Sequence, residues 1–100
     1  MILVRDVFQA KYGKGNDLVS LFKEAEKQWG KQAWGNHSRR LLTDLSGPFF
    51  TVVTEIEIES LADWEQMLKT AFSDPSFGGW FERMTALVES GRREFYTIVG

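Results

Sequence analysis

The sequence predicts an α+β domain of the ferredoxin-like type, β-α-β-β-α-α-β, with its four strands in one antiparallel sheet. Three observations predict it. Four segments, 2–10, 38–45, 49–59 and 93–99, are rich in β-branched, leucine and aromatic residues with the alternation of strands. Three intervening segments carry apolar residues at helical spacing. The strands are apolar on both faces, more than one layer of helices can cover. The 100 residues suit a single domain spanning 1–100.

Taken in order, "ILVRDVFQA" reads as the first strand, and "KYGKGND" as a turn whose Asn16 or Asp17 can cap the helix that follows. Leu18, Leu21, Phe22, Ala25 and Trp29 recur at helical spacing, so the helix runs to about Gln28 with Gly30 as its stop. "KQAWGNH" reads as a loop and 38–45 as the second strand. "SGP" makes a turn, and Pro48 opens the third strand, where no N–H is needed. Ser60 caps the second helix, with Asp63 three residues on as a variant of the capping box. Its apolar stripe is Leu61, Trp64, Met67 or Leu68, Ala71 and Phe72. Asp74 and Pro75 start a third helix with Phe77, Trp80 or Phe81, Met84, Leu87 and Val88 on its apolar face. Gly78 and Gly79 weaken its first turns by about 1 kcal/mol each relative to alanine. "ESG" ends that helix, and 93–99 is the last strand.

Right-handed crossovers put every helix on one side of such a sheet. Yet Leu3 and Val7 oppose Ile2, Val4 and Phe8, Leu42 opposes Leu41 and Leu45, and Tyr96 and Ile98 oppose Phe95 and Val99. In 48–60, Phe49 and Val53 lie opposite Phe50, Val52, Ile56 and Ile58 before the run Glu55, Glu57, Glu59, read as a solvated face. The expectation is a homodimer through the open sheet face. Burying ~1,000 Å² of apolar surface there would contribute a gross ~25 kcal/mol before association costs.

Composition excludes several function classes. The net charge of −2 offers no basic stripe for nucleic acid. With no cysteine there is no disulfide, thiolate metal site or cysteine nucleophile, and a single histidine cannot form a two-histidine zinc site. The first residues meet Arg5 and Asp6 too early for a signal-peptide core, and no run approaches a membrane span, so a cytoplasmic protein without membrane contact is expected. No phosphate loop, dinucleotide fingerprint, nucleophile elbow or metal-ligand spacing occurs, so neither cofactor nor metal is indicated.

Two stretches carry a resemblance. "VFQAKYGKGNDLVSLFKE" is similar to the opening of antibiotic-biosynthesis-monooxygenase-type domains. "IESLADWEQMLKTAFSDPSFGGWFERMTALVESGRREFYTIV" resembles both that family and NIPSNAP-like proteins. Together they cover nearly the whole chain, which thus resembles the dimeric α+β barrel superfamily. The resemblance implies two sheets meeting face to face and a ligand cavity between each sheet and its helices. It also implies activities that range from cofactor-independent monooxygenase and isomerase to heme degradation. The heme-degrading branch resembles the chain at Asp6, where it uses an amide, and at Trp64. Its iron-ligating histidine would fall near Trp80 or Phe81 and is absent, so heme turnover is not expected.

Asp6 shares a strand face with Val4 and Phe8, so it must be paired, hydrated or neutralised. It is a candidate base or a structural ion pair. His37 is a candidate acid or base near neutral pH, or a surface histidine. Trp64 and Trp80 are candidate flat walls for a planar ligand or simply core, with Phe8 beside them; Trp29 and Trp34 flank a candidate pocket mouth. Arg39 and Arg40 point to opposite faces, so one should meet a partner such as Asp6, Asp44 or Glu55. Arg5 on the open face is expected to pair with Glu55 or Glu57, and Tyr96 can donate to a ligand or fill an interface. Two functions stand: a homodimer that binds a small apolar or aromatic metabolite, and a cofactor-independent monooxygenase or isomerase. Asp6 tied to an arginine favours the first; Asp6 unpaired beside a tryptophan favours the second.

Overall fold

The computed structural model describes residues 1–35 and 37–100; Asn36, within the expected loop, lies outside the described residues. Strand β1 (Ile2–Ala10) runs through the middle of a four-stranded antiparallel sheet. It pairs with β3 (Thr51–Ile58) on one side and β4 (Val88–Thr97) on the other, and β2 (Arg39–Thr43) lies outside β3, giving the order β2-β3-β1-β4. Helices α1 (Gly15–Trp29), α2 (Leu61–Phe72) and α3 (Phe77–Leu87) cover one face. This is the α+β, ferredoxin-like arrangement the alternation predicts.

Register follows from the period of 2 along each strand. Val4, Asp6, Phe8 and Ala10 face the helices, opposite Ile56, Thr54 and Val52 of β3 and Phe95, Arg93 and Gly91 of β4. The deepest side chains are Leu18, Ile58, Val4 and Val52. Burying each contributes about 1.5–3 kcal/mol. Gly91 is where the sheet needs a missing side chain: a Cβ there would stand 3.2 Å from Cδ1 of Phe8.

Several boundaries differ from the sequence reading. α1 begins at Gly15 without a side-chain cap, so Asn16 and Asp17 lie in its first turn. Gly30 does not stop it. With φ of −52° Gly30 continues into a wide π-type turn, Gly30–Trp34, closed by the Gly35 N–H donating to the Gly30 carbonyl. Gly35, at φ +52°, makes the break. Phe49 and Phe50 precede β3 rather than opening it. Phe50 sits at φ +61°, a left-handed conformation unusual for an aromatic residue, and packs edge-on against Tyr12. α2 starts as expected, with Ser60 Oγ accepting from the Asp63 N–H at 3.2 Å. Asp74 and Pro75 form a turn before α3, whose helical residues begin at Phe77, and Glu89, Ser90 and Gly91 belong to β4.

The open face of the sheet is not the continuous apolar surface the strands suggest. Across its middle runs Arg40–Glu55–Arg5–Glu94, one residue from each strand in sheet order. Glu55 accepts from both Arg40 and Arg5, the latter at 3.0 Å, and Arg5 Nε lies 3.5 Å from Glu94. Glu55 is only 5% exposed, so it is not part of a solvated face. Val7 and Val53 in the next row are 8% and 7% exposed without any second chain. The longer side chains of the ionic row shelter them. Phe49 stands off the sheet beside Tyr12, both well exposed.

Candidate functional site

The core is three apolar clusters rather than one. Val4, Ile56, Ile58 and Met67 form the first, with Trp64 packed on it. Ala10, Leu18 and Val52 form the second, beneath Phe8 and Phe22. Ala25, Trp29 and Ala33 form the third, against Phe77 and Trp80. Residues of the first and third, with Phe8 and Phe22 packed on the second, line a cavity of about 380 Å³ between sheet and helices. All four tryptophans of the chain, Trp29, Trp34, Trp64 and Trp80, are on its wall.

Hydrogen bonds fix how these rings present themselves. Trp80 Nε1 donates to the Leu21 carbonyl at 3.0 Å, and Trp29 Nε1 donates to Asp74 Oδ2 at 2.8 Å. Each indole thus spends its polar atom on a neighbouring element and leaves carbon toward the space. The Ser76 hydroxyl and N–H, then Trp29, hold the Asp74 carboxyl below its usual range, so it stays ionised and keeps accepting from all three.

The floor of the cavity carries one polar strip in an apolar sheet. Thr54, Asp6 and Arg93 lie side by side on β3, β1 and β4. Arg93 grips Asp6 in two-point fashion, Nε to Oδ1 at 2.7 Å and Nη2 to Oδ2 at 3.0 Å, and its guanidinium lies 4.8 Å from the Trp64 ring centre. Such a planar fork gives both hydrogen bonds and a stacked cation. Asp6 is thus neutralised in place, while Nη1 of Arg93 has no protein partner among the described residues. At the opposite edge of the sheet Arg39 repeats the arrangement, its guanidinium 5.5 Å from the Trp34 ring centre and Nη2 3.2 Å from Glu26 Oε1.

Asp6, Phe8, Arg39, Trp64 and Trp80, singled out in the sequence along with Trp29 and Trp34, therefore meet around one space. His37 and Tyr96 do not. Tyr96 points from β4 to the open face, opposite Leu3. His37 joins two elements of the wall instead. Its Nδ1 meets the Trp34 carbonyl and its Nε2 lies 2.7 Å from Asp63 Oδ2. Both partners only accept, an arrangement that favours the doubly protonated ring. The Trp34 carbonyl, then Asp63, raises its pKa above the ordinary 6.5. A doubly donating histidine is a cationic pin between the turn at Trp34 and the start of α2, not a free base.

Arg93 is the site residue the sequence reading missed. Its signal was present, since it shares a strand face with Phe95 two residues on. Asp63 and Glu26 were also missed as partners, and both pairings depend on contacts between separate elements. Among the described residues no group of three or more histidine, cysteine or acidic side chains is placed to hold a metal ion. Among the described residues no helix is long and apolar enough to cross a membrane.

No protein-family model matches the chain, and no curated protein matches it by sequence. Solved structures do. An uncharacterised NIPSNAP domain protein from Burkholderia xenovorans superposes with a TM-score of 0.85 at 15% identity, over 99% of this chain and 95% of that one. A NIPSNAP family protein from Agrobacterium tumefaciens gives 0.85 at 18% identity, over 98% and 85%. SnoaB, a cofactor-independent oxygenase from Streptomyces nogalater, gives 0.72 at 14% identity, over 99% and 93%. The chain therefore has the fold common to NIPSNAP-domain proteins and antibiotic-biosynthesis-monooxygenase-like proteins.

Proposed function

We propose that this protein is a cytoplasmic homodimer that binds a flat, mostly apolar small molecule between its sheet and its helices. The observation that carries the reading is the cavity walled by all four tryptophans over a floor with one neutralised polar strip. Cavities of this size and lining are the usual form of small-molecule sites. The space opens partly to solvent, so water enters it, and a ring system that displaces poorly bonded water from its apolar wall gains affinity.

Binding is favoured over catalysis because Asp6 is tied to Arg93, which removes the free carboxylate a proton-abstracting site needs. A second reading has its own observation: the pair lies directly beside Trp64, at the place where a planar ketone would rest. If Arg93 turned out to solvent, Asp6 Oδ would accept a proton from an enolisable carbon and leave an enolate on the ligand, as an isomerase or monooxygenase of the antibiotic-biosynthesis type requires. The dimer reading is supported by Leu3, Leu42 and Tyr96, which remain partly or fully exposed on the open face.

Titrating the protein with anthrone while following tryptophan emission tests both. Binding predicts saturable quenching of most of the signal, since no tryptophan lies outside the cavity wall. Absence of quenching at the solubility limit of anthrone refutes the binding reading. Exchange of the anthrone methylene hydrogens with deuterated solvent, faster than in buffer and abolished in Asp6→Asn, would establish the catalytic reading in its place.

A further inference from the structure

The ionic row on the open face has a pattern that a two-fold axis can use in only one way. From β2 to β4 the charges read plus, minus, plus, minus: Arg40, Glu55, Arg5, Glu94. The sequence is antisymmetric about the midpoint between Glu55 and Arg5. Four strands at about 4.8 Å spacing make the row roughly 14 Å long. We propose that this row selects the symmetry of the homodimer, with the two-fold axis along the strands and the row of one chain laid against the reversed row of its copy. The proposal rests on the homodimer reading above and concerns how the two faces meet.

The choice follows from Coulomb's law applied to the two face-to-face arrangements that keep the strands of both sheets aligned. With the axis along the strands, Arg40 opposes Glu94 of the second copy and Glu55 opposes Arg5. All four contacts are attractive, and Val53 comes to oppose Val7 in the adjacent row. With the axis along the row, every member opposes itself, and all four contacts repel. Like charges placed opposite one another suppress that arrangement, which is the usual way charge sets register at an interface. Each row is neutral within its own chain, and Glu55 is already bonded by two arginines before any partner arrives. Covering the row therefore strands no unpaired ion, the condition under which a buried charge is costly. The end members remain able to respond to a partner: the Arg40 side chain is 66% exposed and that of Glu94 28%.

The chain has no cysteine, so crosslinking reports the arrangement without background. Arg40→Cys and Glu94→Cys are expected to form a disulfide-linked dimer when mixed and oxidised, and neither is expected to do so alone. Both positions are at the rim of the row, so the buried Glu55 is left in place. A charge test is independent of disulfide geometry. Arg40→Glu turns two attractive contacts into repulsive ones and should weaken the dimer roughly tenfold, while Arg40→Glu with Glu94→Arg in one chain restores both and should recover it. With the axis along the row, neither change would alter the number of repulsive contacts, so dissociation constants from native mass spectrometry separate the two. A wild-type chain that is monomeric at tens of micromolar refutes the dimer reading and this proposal with it. A dimeric wild type in which Arg40→Cys crosslinks to itself, or from which Arg40→Glu differs in no way in dimer affinity, refutes the proposed symmetry and leaves the dimer standing.

Discussion

Replacing Arg93 should harm this protein more than replacing Asp6, although the two are partners in one ion pair. The Asp6 side chain is 13% exposed, against 44% for Arg93. Arg93→Met keeps an apolar stem against Trp64 but leaves a carboxylate on the cavity floor with no donor. Removing a partner from a fully buried pair costs about 3–5 kcal/mol, and from an exposed pair ~0–1. This pair lies between those limits, so Arg93→Met should cost about 2 kcal/mol. Asp6→Asn leaves a neutral amide whose oxygen still accepts from Nε, while the guanidinium turns to water, so it should cost about 1 kcal/mol. The double variant strands no charge and should fall about 1 kcal/mol short of the sum. For a domain of this size Arg93→Met corresponds to a melting temperature lower by roughly 8–16 °C. Urea denaturation followed by tryptophan emission, at one fixed protomer concentration, measures all three. Additivity within ~0.5 kcal/mol, or Asp6→Asn as costly as Arg93→Met, would refute the account of the floor as a single coupled pair.

Three further outcomes are expected. The single histidine gives one Hε1 resonance, and its titration midpoint should lie above 6.5 and fall in Asp63→Asn. Because that pKa is raised by folding, the pin stabilises fully below about pH 6.5 and is lost as pH rises through the folded value, so a midpoint at or below 6.5 contradicts the doubly donating ring. Gly91→Ala should push the Phe8 ring from a 3.2 Å clash toward the cavity, with a stability loss under ~1 kcal/mol and several-fold weaker anthrone quenching. Unchanged quenching would mean Phe8 does not border the occupied space. The Trp29 indole N–H resonance should shift only as Asp74 protonates, with a midpoint below the ordinary 3.8 because its carboxyl is held down; a midpoint near pH 5 would disprove the bond.

What could be read in the sequence was whatever depends on neighbours along the chain. β1 matches its expectation to the residue because its alternation is local, and Ser60 caps α2 because the bond reaches only three residues. Gly30 and Gly35 show the limit. Both are glycines near a helix end, and only the backbone geometry shows that Gly35 has the positive φ while Gly30 is helical. Phe50 carries no sequence mark of its left-handed conformation. Charge partners were harder still. Arg93 and Asp6 are 87 residues apart, and Arg5 and Glu55 are 50 apart, so neither bond exists until the register of separate strands is set. The glutamate run from 55 to 59 reads as solvated in the sequence because the two arginines that bury its first member come from other strands.

Those long-range pairs in turn make the register hard to mistake. Arg5 and Asp6 are adjacent in sequence and face opposite sides of β1. Sliding β1 by one residue would exchange them, because side chains alternate with period 2. Slid one way, Arg5 would enter the apolar cavity beside Trp64, facing Arg93; slid the other way, Asp6 would stand against Glu55 and Glu94 on the open face. Either slide sets like charges together on one face and takes the charge partner from the other, and Val4 would leave the core for the open face. An apolar pattern alone penalises the slip weakly here, since Leu3 and Val7 could replace Val4 and Phe8 as core residues. In a sheet apolar on both sides, the two ionic sets distinguish front from back.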